Sequence, residues 1–332
     1  MSGIASGPAN TRSYSKILKA IIAMLRDKIN GRQKGIITFG ITPPKQDTPE
    51  DKVREIAQKH LVRFSKLDID GLIVYDLQDE SERTNEARPF PFLSTIDSGI
   101  YADSYLNDLN LPKIIYRCIG KYDRNELKSF LMKDPAKESY SVFVGASSKN
   151  QNVSVKLNEA YQIYRSVETN LILGGVTIPE RHSKSNDEHL RILHKIENGC
   201  KFFVSQVVYN IEASKNLLSD YYFQCLRNNI PMVPILLTLT PCGSQKTLDF
   251  MKWLGINIPR WLENELIHSE DILEKSVRLL KHQFTELYEF ALEKNIPLGC
   301  NIESVSVRKV EIDASVQLAV EIGEILRKIS SQ

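Results

Sequence analysis

The sequence predicts an α/β protein of the (β/α)8 TIM-barrel class. It reads as a single domain with an extra N-terminal helix and a long loop after the second strand. Three observations predict this. Eight short apolar, β-branched runs alternate with helix-like segments along 332 residues. The runs are mostly continuous rather than alternating in polarity, as strands covered on both faces require. No composition break divides the chain, and α/β barrels reach about 250 residues as one domain, so length alone does not demand two. A doubly wound open sheet is the alternative, but eight successive β-α units favour closure.

The strands are expected at Gly35–Ile41, Gly71–Leu77, Lys113–Ile119, Ser141–Ala146, Leu171–Ile178, Phe202–Val208, Val233–Leu239 and Leu298–Ser304. Helical patterns lie between them. Asp51–Leu67 puts Val53, Ile56, Ala57, Leu61 and Phe64 on one face, with charges opposite. Asn125–Lys133, Leu157–Val167, Asn186–Asn198, Ile211–Asn228, Ser244–Leu254, Ser269–Glu293 and Ile312–Lys328 continue the series. Asp47 is a candidate cap for the first helix, and Gly199 and Asn295 read as helix stops. Residues 1–12 are expected to be disordered. Residues 13–34 should hold a helix that plugs or flanks the bottom of the barrel, which then occupies 35–330. Asp79–Leu109 breaks the rhythm and reads as either a lid-like functional loop or a plain insertion.

Composition excludes some functions. Forty-three Lys and Arg against 41 Asp and Glu leave a net charge of +2, too little basic excess for a nucleic-acid protein. The N-terminus lacks an apolar core of signal-peptide length, and Ala20–Leu25 is too short to span a bilayer. A cytoplasmic protein without a membrane partner is expected. Five cysteines, at 118, 200, 225, 242 and 300, form no C-x-x-C pair and read as buried free thiols. No dinucleotide glycine motif, Walker A loop or nucleophile elbow occurs.

In a barrel the reacting groups come from the C-terminal strand ends. Those ends supply Asp76, Tyr116, Arg117, Gly145, Ser147, Glu180, His182, Gln206, Tyr209, Asn301 and Glu303. No metal-ligand set is legible there: His182 has only Glu180 beside it, which reads more readily as a local hydrogen-bonded pair. Gly174-Gly175 inside the fifth strand implies a close approach of backbone or ligand.

Four motifs in order on these strands resemble the methylenetetrahydrofolate reductase family. They are Thr38-Phe39-Gly40-Ile41-Thr42-Pro43-Pro44, Pro179-Glu180-Arg181-His182, Ser205-Gln206-Val207-Val208-Tyr209 and Ile258-Pro259-Arg260-Trp261. The resemblance spans about residues 35–325. It implies a small reduced-folate substrate and hydride transfer from NAD(P)H to 5,10-methylenetetrahydrofolate, within one-carbon and methionine metabolism. It places Gln206, Tyr209, Glu180, His182 and Asn301 on the substrate side, and Tyr116, Arg117, Gly145 and Ser147 on the cofactor side. Three departures are equally plain. The family's strand 1 glutamate is Gly40 here, its R-G-D at strand 4 is Val144-Gly145-Ala146, and its His-Leu-Thr pattern at strand 3 is Tyr116-Arg117-Cys118. Phe143-Val144-Gly145 and Arg88-Pro89-Phe90-Pro91 look closer to a flavin-free branch, so FAD is doubtful. Because strands 1 and 8 adjoin in a closed barrel, Glu303 is the expected replacement acid, with Asp76 flanking the other side. A family member that binds folate or a protein partner without this reaction, or runs another one-carbon step, is the alternative.

Overall fold

The computed structural model describes residues 25–80, 88–134, 138–146 and 153–331. Eight parallel strands close into a barrel in chain order. They are β1 (Ile37–Ile41), β2 (Gly71–Val74), β3 (Lys113–Cys118), β4 (Ser139–Val144), β5 (Leu171–Thr177), β6 (Phe202–Val207), β7 (Ile235–Leu239) and β8 (Leu298–Glu303). The closing pair β1–β8 sets Thr38 opposite Asn301 and Gly40 opposite Glu303.

Around the barrel lie α1 (Glu50–Phe64), α2 (Ser98–Tyr105), α3 (Arg124–Leu131), α4 (Leu157–Arg165), α5 (Pro179–Ser185) and α6 (Glu188–Glu197). These are followed by α7 (Ile211–Arg227), α8 (Gln245–Trp253), α9 (Arg260–Ile267), α10 (Ile272–Glu293) and α11 (Lys309–Ser330). Strand periodicity of two divides the apolar side chains into two cores. Phe39, Leu72, Val74, Phe143, Leu173, Phe203, Leu237 and Ile302 pack outward against the helices. Ile73, Ile114, Tyr140, Val142, Ile172, Phe202, Val204 and Leu236 fill the barrel, with Leu25 and Ile29 closing its lower end. Those two residues lie in the helical stretch 25–30. The rest of the expected N-terminal segment, 1–24, falls outside the described residues.

Several expectations need correction. Asp47 does not cap the first helix, which starts after Pro49 with no side-chain cap. The segment after β2 is not irregular throughout, since it contains α2, capped by the Asp97 carboxylate accepting from the amides of Gly99 and Ile100. Helices α5 and α9 were not anticipated. The Gly174 approach is a protein contact: an added Cβ would lie 2.5 Å from the Phe202 ring. The stops at Gly199 and Asn295 do occur, both at positive φ. All five cysteines are free and buried. Among the described residues no helix is long and apolar enough to cross a membrane.

Residues Arg88–Ile96 link α8 to the chain after β1. At one end the Arg88 guanidinium carbon lies 5.0 Å from the Trp253 ring centroid, and Phe90 meets Phe250 edge-on at 5.3 Å. At the other end Gln46 donates its amide to Ser94, and Ile96 donates to Pro44, both at 2.9 Å.

Candidate functional site

The barrel mouth centres on Glu303. The Gly40 position beside it is filled by Tyr75, just past β2: a Cβ on Gly40 would lie 2.6 Å from Tyr75 Cε2 and 3.0 Å from its hydroxyl. Thr38 donates its hydroxyl to Asn301 Oδ1 at 3.1 Å, which fixes the amide so that Nδ2 donates to the Tyr75 oxygen at 2.9 Å. The Tyr75 hydroxyl in turn bonds the Glu303 carboxylate. Tyr75 is further held by Tyr116, whose ring meets it edge-on at 4.7 Å. Burial pushes the Glu303 carboxyl up to about 7, against the opposing pull of the Tyr75 and Asn301 hydrogen bonds. A carboxyl poised near neutrality can both give and take a proton.

Asp76, next to Tyr75, faces elsewhere. Its carboxylate accepts from the Cys118 amide at 2.8 Å, from Tyr122 at 3.1 Å and from Lys121. These bonds tether the end of β2 to β3. Arg117 also departs from expectation. Adjacent strand residues point to opposite faces, so Tyr116 enters the barrel while Arg117 turns outward. There it pairs with Asp97 and lies 4.4 Å from the Phe130 ring centroid. Tyr209 is fully buried, with its hydroxyl donating to the Thr240 carbonyl at 2.8 Å. That places the side chain in the core. The Gly145 carbonyl accepts from Gln78 Nε2 at 3.0 Å. Ser147 lies outside the described residues.

Gln206 does reach the mouth region. The β6–β7 register shifts between Val204 and Val207, an irregularity of the kind that re-aims a side chain. Gln206 Nε2 donates to the Leu254 carbonyl at 3.0 Å, tying β6 to the chain after α8. Beyond it lies a cavity of about 290 Å³ lined by Glu180, Lys184, Lys252, Asn257 and Ile258 among others. Glu180 is 6% exposed and neither carboxylate oxygen has a hydrogen-bond partner. Burial pushes its carboxyl up to about 7. Glu180 and His182 do not form the expected local pair. His182 is 1% exposed and points away, its Nε2 3.1 Å from Asp220 Oδ2 on α7.

Tyr75 is not among the residues that the sequence singles out. The adjacency of Gly40 to a bulky residue on a neighbouring strand was the available signal. Arg88 was noted only within a motif. Its Nε and Nη1 are buried without partners, among the rings of Phe92, Phe250 and Trp253.

These features define a class: a (β/α)8 barrel closed below, with two buried carboxyls, Glu303 and Glu180, whose pKa values burial raises to about 7. The family model described as methylenetetrahydrofolate reductase matches residues 143–286, from within β4 into α10. An uncharacterised Clostridium thermocellum protein, described as binding two copies of 5-methyl-5,6,7,8-tetrahydrofolic acid, is 57% identical. That match covers 91% of this chain and 99% of the other, with a TM-score of 0.82. The chain belongs to the methylenetetrahydrofolate reductase family. Remoter structures include 2,3-dimethylmalate lyase, at 10% identity and TM-score 0.41, covering 94% of this chain and 99% of that one. Xanthomonas albilineans dihydropteroate synthase is also 10% identical, at TM-score 0.46, covering 91% and 95%. Neither carries weight at such scores. No curated protein matches the chain.

Proposed function

We propose that this protein binds reduced folate in the barrel mouth and converts 5,10-methylenetetrahydrofolate to 5-methyltetrahydrofolate, with hydride taken directly from NADH or NADPH. The observation that carries this reading is Glu303. It is the carboxyl nearest the place where the family keeps its acid, and burial holds it near neutrality. Its proton goes to N10 of the folate as the N10–methylene bond breaks. The resulting N5-iminium carbon accepts hydride, leaving an N5-methyl group and an oxidised nicotinamide. Tyr75 and Asn301 then stabilise the carboxylate until it regains a proton. The 57% identical relative, described with 5-methyltetrahydrofolic acid, supports the ligand class and a capacity for two copies.

Other residues suit the same ligand. The unpaired N–H groups of Arg88 match the carboxylates of a folate tail, and Gln206 offers an amide to the pterin edge. The flavin side does not fit FAD. Arg117 is turned outward, no acid follows Gly145, and Gln78 occupies the Gly145 carbonyl. The buried free thiols are compatible with a reducing cytosol.

The test is oxidation of NADH or NADPH by purified protein in the presence of methylenetetrahydrofolate, with formation of 5-methyltetrahydrofolate. Glu303→Gln should lower the rate by about 10²–10⁴-fold, the usual worth of a general acid. A second reading rests on Tyr75 filling the Gly40 site: a family member that binds folate without reducing it. Tight folate binding with no turnover on either nicotinamide would establish that reading and refute the first.

A further inference from the structure

We propose that His182, His189 and Asp220 form a binding site for a divalent transition-metal ion of the zinc class, on the outer helical layer. His182 lies on α5, His189 on α6 and Asp220 on α7. One ligand atom from each lies within 4.8 Å of the others. The His182 Nε2 to Asp220 Oδ2 distance of 3.1 Å is close to the roughly 3.3 Å between two donors that share a tetrahedral ion at about 2 Å. The two imidazole rings meet edge-on, centroids 5.3 Å apart.

Two independent features point to a ligand. His189 is 9% exposed, yet its Nδ1 is buried without a hydrogen-bond partner. Buried polar nitrogens are ordinarily satisfied, and this orphan in the same cluster as the His182 Nε2–Asp220 pair calls for a partner. The frame is also rigid. Glu188, beside His189, is fully buried. It accepts from the Ile178 amide at 2.9 Å and from Arg181 at 3.1 Å, pinning the starts of α5 and α6 to the end of β5. The imidazoles are therefore held in place before an ion arrives. Asp220, with its side chain 52% exposed, supplies the charged ligand and the entry path. Two imidazoles and one carboxylate suit zinc, cobalt or nickel rather than calcium or magnesium, which take mainly oxygen ligands. The bound ion would staple three helices together and fix α5, which carries Glu180 on its first turn.

The experiment uses tag-free full-length protein, stripped with chelator and dialysed. It is titrated with zinc chloride by calorimetry and with cobalt chloride by visible absorption. The wild type should bind one equivalent, show cobalt ligand-field bands, and gain about 4 °C in Tm at a hundredfold excess over Kd. Asp220→Asn and His189→Ala should each weaken zinc binding by about a hundredfold or more, an effect at least as large as losing an outer-shell partner. Asp220 is exposed, so its variant should fold even if the His189 variant does not. No saturable binding by the wild type, or undiminished binding by Asp220→Asn, would overturn the proposal.

Discussion

Replacing Gly40 with alanine isolates one contact. Gly40 lies in a strand at ordinary φ, so the backbone accepts alanine without strain, and the methyl group is the sole perturbation. That methyl would sit 2.6 Å from Tyr75 Cε2, 3.0 Å from its hydroxyl and 3.1 Å from Cζ. Carbon atoms at rest stand about 3.5–4.0 Å apart, so the ring must retreat by about 1 Å. It is backed by Tyr116 and held by Asn301, so retreat strains both. Overpacking of this kind costs about 1–3 kcal/mol. With an unfolding entropy of roughly 2.1 cal/mol/K per residue over 332 residues, a loss of about 2 kcal/mol lowers Tm by about 3 °C. Urea denaturation and calorimetry would measure it. The decisive comparison is the Tyr75→Ala background. There the ring is gone, and Gly40→Ala should be neutral or slightly stabilising, a coupling of about 2 kcal/mol. An equal loss in both backgrounds would refute the idea that Tyr75 occupies the Gly40 space.

Further outcomes follow from the same structure. Asp76→Asn removes a buried acceptor shared by Cys118, Lys121 and Tyr122. It should cost about 2–4 kcal/mol in urea denaturation, and a loss below about 0.5 kcal/mol would show the tether to be dispensable. Glu180 has its folded pKa raised to about 7, so between its unfolded value and 7 the folded state binds more protons. Stability from this group is therefore present at low pH and lost as pH rises through 7. Glu180→Gln should be near neutral at pH 5 and stabilising by about 2 kcal/mol at pH 8. Equal effects at both pH values would contradict this. Glu303, raised to about 7 by burial, must be protonated to act as an acid, so the reductase rate should fall above pH 7. A rate still rising at pH 9 would exclude Glu303 as the acid.

The barrel was legible because parallel strands are buried on both faces, so each reads as a short apolar run, and all eight fall where the runs do. The helices that escaped have physical reasons. Ser98–Tyr105 buries Ser98 and Ala102 along with Tyr101, so no apolar stripe marks it. Pro179–Ser185 is polar in sequence and opens on a proline. Closure alone brought Glu303 beside Gly40, and that neighbourhood was readable in advance. Arg117 was not, since only the in-or-out phase of β3 separates it from Tyr116. The three residues at 182, 189 and 220 come from three helices with no motif spacing, so only packing unites them.

The Tyr75 ring also constrains change at the mouth. A glutamate placed at position 40 would drive a side chain into an occupied space, and removing the ring first would strip Glu303 of a hydrogen-bond donor. Under the proposed function, the acid on β8 therefore cannot be moved to β1 by one substitution: the ring that fills the Gly40 space also holds the carboxyl across from it.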